Sequence, residues 1–157
     1  MASDVVTIYS DGACLGNPGR GGYGTVLIAG EHRRELQQGY RMTTNNRMEL
    51  LGAIIGLESL KRPCSVDLYS DSTYVVNAMS KGWLAGWQQR GWRTSSKQPV
   101  KNQDLWERMV AAADRHDVRW HWVKGHSGDP ENERCDALAV DAANGGELLE
   151  DEGFGAA

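Results

Sequence analysis

Asp11 and Asp71 each close the same tripeptide, Tyr-Ser-Asp, at residues 9–11 and 69–71. Each tripeptide ends a short run with the composition of a buried strand, and each is followed by a turn or helix signal, Gly12 or Ser72. A carboxylate at the C-terminal end of a strand stands where open α/β sheets hold their ligands. Two on neighbouring strands face one crevice, and carboxylates held that close repel unless a cation or a shared proton intervenes. Glu49 and Asp136 join them. Ala53, Gly56 and Leu60 follow Glu49 at helical spacing, so its stripe packs rather than meets water. Asp136 has Ala139, Val140 and Ala143 in the same relation. Singly, each acid has a plainer use. A strand-end Asp forms turns, Glu49 completes a capping box with Asn46, and Asp136 is a first-turn acid favoured by the helix dipole. Together, four acids so placed predict a site for a hard cation such as Mg²⁺. Two such ions ~4 Å apart, sharing one carboxylate, can activate water and stabilise the leaving oxygen of a phosphodiester.

The elements that must position these acids follow from periodicity. Residues 5–10 read as a central strand, nearly continuous in apolar character. Residues 12–24 are rich in Gly and read as a loop or tight turn. Strands are predicted at 23–29 and 33–43, the second amphipathic and at an edge, joined by a hairpin turn at Gly30 and Glu31. Residues 44–61 form the clearest helix, ended by Pro63. A fourth strand spans 65–70 and a fifth 118–123. Between them lie a short helix at 72–78 capped by Ser72, a helical piece at 82–91 and a helix at 103–115. Asp129 caps a last helix beginning at Pro130 and ending before Gly145. The acidic, Gly/Ala-rich tail from Glu147 is expected to fray, which divides the chain into a catalytic domain at 1–146 and a flexible tail at 147–157.

With 157 residues and a 40% apolar share, the chain is sized for one packed domain. No apolar run approaches a membrane span, and no secretory signal is visible. Cys14, Cys64 and Cys135 are odd in number and widely spaced, which argues against disulfides or structural zinc and for a reducing cytosol. The net charge of −4 conceals a division. Residues 72–103 contain no Asp or Glu and carry +5, leaving −9 on the remainder. Trp83, Trp87 and Trp92 interleave with those cations, so an acidic body carries a basic, aromatic projection (about 80–101) fit to hold a polyanion.

Four stretches, DGACLGNPGRGGYG (11–24), TTNNRMEL (43–50), YSDSTYV (69–75) and WVKGHSGDPENERCDALA (122–139), resemble in order the motifs of the bacterial type 1 ribonucleases H. The resemblance covers about residues 5–143. It implies an α/β ribonuclease H-like fold, with a five-stranded mixed sheet of order 3-2-1-4-5, strand 2 antiparallel, flanked by helices. It implies cleavage of the RNA strand of RNA–DNA hybrids using Mg²⁺ or Mn²⁺, with 5′-phosphate and 3′-hydroxyl products. By the same resemblance Asp11 bridges two metals, Asp136 completes the site on the attacking-water side, and Glu49 and Asp71 hold the metal at the leaving oxygen. His126 shuttles protons or helps product leave. Cys14, Asn17, Asn45 and Asn46 read the 2′-hydroxyl, for which an Asn amide, donor and acceptor at once, is suited. Thr44 and Asn102 grip a DNA-strand phosphate, Trp83 packs on DNA sugars, and Arg90 lines that groove. A monomer acting on a hybrid in the cytoplasm, with no membrane partner, is expected.

The chain departs from the family pattern at several places. Met42 stands where many members have Arg, Thr73 replaces a common Gln at a substrate-binding position, and Gln88 and Gln89 replace a Lys-rich run. These bear on affinity rather than on the carboxylates. Other readings are a resolvase or transposase core on the same sheet, a hybrid-binding module without catalysis, and a Ca²⁺ site around 129–136. The 2′-hydroxyl motif, the complete set of acids and the lack of EF-hand spacing argue against them in turn.

Overall fold

The computed structural model describes residues 4–154. Its elements run β1 (Asp4–Cys14), β2 (Gly19–Ala29), β3 (His32–Thr43), α1 (Asn45–Glu58), β4 (Cys64–Ser70), α2 (Thr73–Ser80), α3 (Trp83–Gln89), α4 (Gln103–Asp114), β5 (Asp117–Trp122), α5 (Pro130–Asn144) and β6 (Leu148–Leu149). They form one mixed sheet of order β5-β4-β1-β2-β3-β6. β2 is antiparallel to both neighbours, and β1, β4 and β5 are parallel. The expected five strands appear in the expected order, and the two-residue β6 adds a sixth beside β3 at Gly39 and Tyr40.

Two layers of helix cover the sheet unequally. The main core joins Val6, Ile8 and Leu27 of the sheet to Leu50 and Ile54 of α1 and to Trp106 and Met109 of α4. A smaller cluster on the other face sets Val26 against Cys135 and Leu138 of α5. α1 is buried nearly all round, from Arg47 to Leu57.

Four sequence expectations are corrected. Asp136 is not in the first turn of its helix, whose acids are Glu131 and Glu133, but is the seventh residue of α5. The Gly-rich stretch at 12–24 is mostly strand: β1 continues to Cys14, β2 starts at Gly19, and only four residues join them. The glycines there serve close packing rather than turning, because Gly22 and Gly24 lie directly beneath the α5 backbone. The cap of α1 is Thr44, whose hydroxyl accepts from the Arg47 N–H at 3.3 Å, so Asn46 lies inside the helix rather than capping it. The tail from Glu147 does not fray as far as it is described. Leu148 and Leu149 pair with β3, and the Asp151 side chain is only 5% exposed, ion-paired to Arg47. Residues 155–157 lie outside the described residues.

Candidate active site

The parallel ladder between β1 and β4 ends at the pair Ser10–Ser70. Asp11 and Asp71 thus follow that pair directly, Asp11 within β1, which runs on to Cys14, and Asp71 just past the end of β4. Asp11 sits opposite Gly24 of β2. Two absent side chains deliver the other acids. A Cβ at Gly12 would stand 2.6 Å from the Met48 carbonyl carbon, so α1 rests backbone to backbone on β1 just where Glu49 projects. A Cβ at Gly24 would overlap the Cys135 carbonyl, so α5 rests on β2 one residue before Asp136. The start of α5 is fixed by Asp129, which accepts from the N–H groups of Glu131 and Asn132, with Pro130 at the first helical position.

Carboxylate oxygens of Asp11, Glu49 and Asp71 all lie within 4.8 Å of one another. Asp136 lines the same groove of about 500 Å³ without joining that tight triple. Asp11 and Glu49 are buried, at 5% and 4% exposure. The Gly12 N–H donates to both carboxylates, tying them together. Burial pushes Asp11 up to about 7, with Asp71 and Asp136 adding repulsion and hydrogen bonds with Glu49 and Gly12 opposing it. Glu49 is raised well above the ordinary carboxylate range, chiefly by burial and then by Asp11. Two buried acids so costly to ionise need a shared proton or a cation, and an all-oxygen donor set fits a hard divalent cation.

The same groove is lined by Cys14, Asn45, Asn46, Thr73 and His126. His126 is exposed and left-handed (φ 56°), on a loop whose Gly125 packs against the Asp71 carboxylate. Asn17 Oδ1 accepts from the Asn45 N–H at 3.2 Å, tying the β1–β2 loop to the start of α1. A second cavity, of about 680 Å³, holds Asn17, Thr44 and Asn102, with Asn46 common to both. Trp83 and Arg90 line neither cavity. Both are exposed on or beside α3, where Trp83 is 42% exposed and Arg90 Nε donates to the Arg93 carbonyl at 3.1 Å.

Arg47 and Tyr74 were not foreseen. Tyr74 lines the acidic groove, and its hydroxyl accepts from Asn102 Nδ2 at 3.2 Å and Trp106 Nε1 at 3.0 Å. Arg47 carried a legible signal, since Leu51 and Ile54 follow it at helical spacing. A charge on an apolar stripe must be buried and paired, as with Glu49.

A mixed sheet of this order, with acids gathered where its central parallel strands end, defines the ribonuclease H class of nuclease folds. The chain belongs to the RNase H family, which matches residues 3–144, and is an endonuclease of that kind. It is 60% identical over 149 residues to a ribonuclease H of Pseudoalteromonas atlantica, covering 95% of this chain and 97% of the relative. It is 57% identical over 149 residues to one of Aeromonas salmonicida, covering 95% and 96%. Among solved structures it resembles LC9-RNase H1, a type 1 RNase H with the type 2 active-site motif. That match has TM-score 0.82 and 33% identity over 96% of this chain and 79% of the other. LC11-RNase H1, solved in complex with an RNA/DNA hybrid, shares the fold at TM-score 0.68 and 22% identity, covering 88% and 96%.

Proposed function

We propose that this chain hydrolyses the RNA strand of RNA–DNA hybrids with divalent cations held by Asp11, Glu49, Asp71 and Asp136. The observation that carries the reading is the triple of carboxylate oxygens within 4.8 Å, in one groove with Asp136. Asp11 is central in that set and would be shared by two cations, with Asp136 on one side and Glu49 and Asp71 on the other. Mg²⁺, or Mn²⁺ in its place, would supply Lewis acidity, lowering the cost of deprotonating the attacking water and neutralising charge at the leaving 3′ oxygen.

The remaining residues bind and orient. Asn45 and Asn46, at the start of α1, offer amides able to donate to and accept from a 2′-hydroxyl, the group that separates RNA from DNA. Cys14 Sγ is turned to the carbonyls of Gly19 and Thr43 at 3.6 and 3.5 Å, which leaves its backbone as the part suited to substrate. The Thr44 hydroxyl spends a lone pair on the helix cap, and its proton remains for a phosphate of the DNA strand beside Asn102. His126, exposed at the groove, is placed to move a proton as product leaves. Trp83 and Arg90 extend the grip along the DNA strand. The three free cysteines fit a monomeric enzyme of a reducing cytosol. Among the described residues no helix is long and apolar enough to cross a membrane.

The test is to incubate the protein with end-labelled hybrid, duplex RNA and duplex DNA, with and without Mg²⁺. Cleavage should be confined to the RNA of the hybrid, require the cation and leave 5′-phosphates. Recovery of 2′,3′-cyclic phosphates would sink the reading. Asp11→Asn should lower turnover at least about a thousandfold, the scale of several kcal/mol of lost charge stabilisation.

A further inference from the structure

Arg47 stands two residues before Glu49 yet faces away from the acidic centre. Its side chain is 3% exposed, and all five of its N–H donors are engaged. Nε and Nη2 donate to Asp151 at 2.7 and 2.9 Å. Nη1 and Nη2 donate to Asp104 at 2.9 and 2.7 Å. Nη1 also reaches Asn102 Oδ1 at 3.3 Å. Asp151 is further fixed by the Thr43 hydroxyl, which donates to it at 2.7 Å. Gly153 presses against this knot, for a Cβ there would stand 2.7 Å from Arg47 Nη2 and overlap the Asp104 carboxylate.

Asn102 is therefore held at both ends of its amide, Oδ1 by Arg47 and Nδ2 by Tyr74. It also holds an uncommon left-handed backbone (φ 62°) immediately before α4. Arg47, Asn102, Gly153 and Phe154 all line the 680 Å³ cavity that also contains Thr44. One wall of that cavity thus belongs to the C-terminal segment.

We propose that residues 148–154 are a positioning element for hybrid binding, in which Asp151, acting through Arg47, sets Asn102 and completes the cavity that takes a DNA-strand phosphate. This rests on the reading of Thr44 and Asn102 as phosphate contacts. Without the Asp151 charge, the guanidinium keeps only Asp104, whose side chain is 48% exposed. It turns toward that partner and toward water, because a buried charge short of a counter-charge is costly. Asn102 then loses its Oδ1 anchor. Because Asn102 is neutral, its contact adds affinity without adding to the counterions released.

The test measures KM and kcat on a hybrid for Asp151→Asn, Asn102→Ala and the double variant, at two salt concentrations and well below the melting temperature. Asp151→Asn should raise KM about three- to tenfold, by the same factor at both salts, and leave kcat unchanged. The double variant should bind no worse than Asn102→Ala alone, because both changes remove one contact. Arg47→Lys keeps the charge but loses the fork, so it should give the same pattern and carries the test if Asp151→Asn does not fold. Additive losses in the double variant, or a lower melting temperature with unchanged KM, overturn the proposal alone. An unchanged KM in Asn102→Ala overturns the phosphate assignment and the proposal with it, and that result is read in the single variant.

Discussion

Around Asp11 the acids are delivered by backbone resting on backbone, whereas α3 contributes no buried residue. The acidic centre lies at the meeting of β1, β4, α1 and α5. The basic segment touches the core through the half-buried Leu84, Trp87 and Trp92, of which Trp87 meets Trp106 edge-on at 5.4 Å, and through the buried Val100 at its end. It is otherwise organised by its own turns, with Arg93 bridged to Pro99 and left-handed residues at Gly82, Gly91, Trp92 and Lys97. A site that must hold repelling carboxylates within a few ångströms needs the rigidity of a packed core. A surface that must follow a polyanion needs charge and reach. The two regions should therefore fail differently when damaged.

The sharpest way to break this contrast is Gly12→Ala, one methyl group that touches no carboxylate directly. The added Cβ meets the α1 backbone at Glu49, which has no flexible end to yield. Overpacking of this kind costs about 1–3 kcal/mol, and α1 must shift away from β1. Turnover should fall at least about a hundredfold, since a misplacement of ~1 Å is worth that much. Hybrid affinity measured in EDTA should stay within about threefold, because the basic segment is untouched. Single-turnover kinetics and an EDTA binding isotherm check it. Equal losses in both would mean that the two regions are not separately built.

The sequence made this contrast visible only in part. The four acids were legible because each reads, in the sequence, as a strand end or as a charge on an apolar helical stripe, although β1 in fact runs on past Asp11 to Cys14. The exposure of α3 was legible in the acid-free, basic run that contains it. The close packing was not legible: Gly12, Gly22 and Gly24 have the composition of a loop, and only the helices lying against them show why side chains are absent. The role of the tail was hidden for a related reason. Asp151 meets Arg47 across 104 residues of sequence, and Leu148 and Leu149 become a strand only because β3 offers an edge. Local composition records local preference, and both features are set by distant partners.

Damage to the projection should have the smaller, complementary effect. Arg90→Ala should weaken hybrid binding several-fold and flatten the salt dependence by about 0.9 in the log–log slope, the signature of one phosphate contact. The single-turnover rate at saturation should hold. Trp83→Ala should weaken binding with the slope unchanged, because its contribution is packing. With 42% of Trp83 exposed, its loss should cost far less than the ~3–5 kcal/mol of a buried Trp. Melting curves beside isotherms at two salt concentrations decide both. A large fall in melting temperature for Trp83→Ala, with affinity per folded molecule unchanged, would return that residue to the core.

The smallest effect expected concerns the stability of the metal-free protein, and it again separates the regions. Burial and neighbouring acids raise the folded pKa of Asp11 to about 7, against ~3.9 in an unfolded chain. A raised carboxyl favours folding when protonated. Its contribution is fully present below the unfolded value and is lost as pH rises toward and through the folded one. In EDTA the protein should therefore lose stability from this source between about pH 4 and pH 7. Asp11→Asn cannot ionise, so it should escape that loss. At about pH 8 it should melt several degrees higher than the parent, with ~4 kcal/mol, the equivalent of a pKa moved from ~3.9 to about 7, as the upper limit. At pH 4 the two should melt together. Saturating Mg²⁺ should close the gap at pH 8, because a ligand that binds the folded parent stabilises it by mass action. Trp83→Ala, remote from the acids, should keep the pH dependence of the parent. A variant of Asp11 that melts no higher than the parent at pH 8 in EDTA would show that the acids are not strained in the absence of a cation.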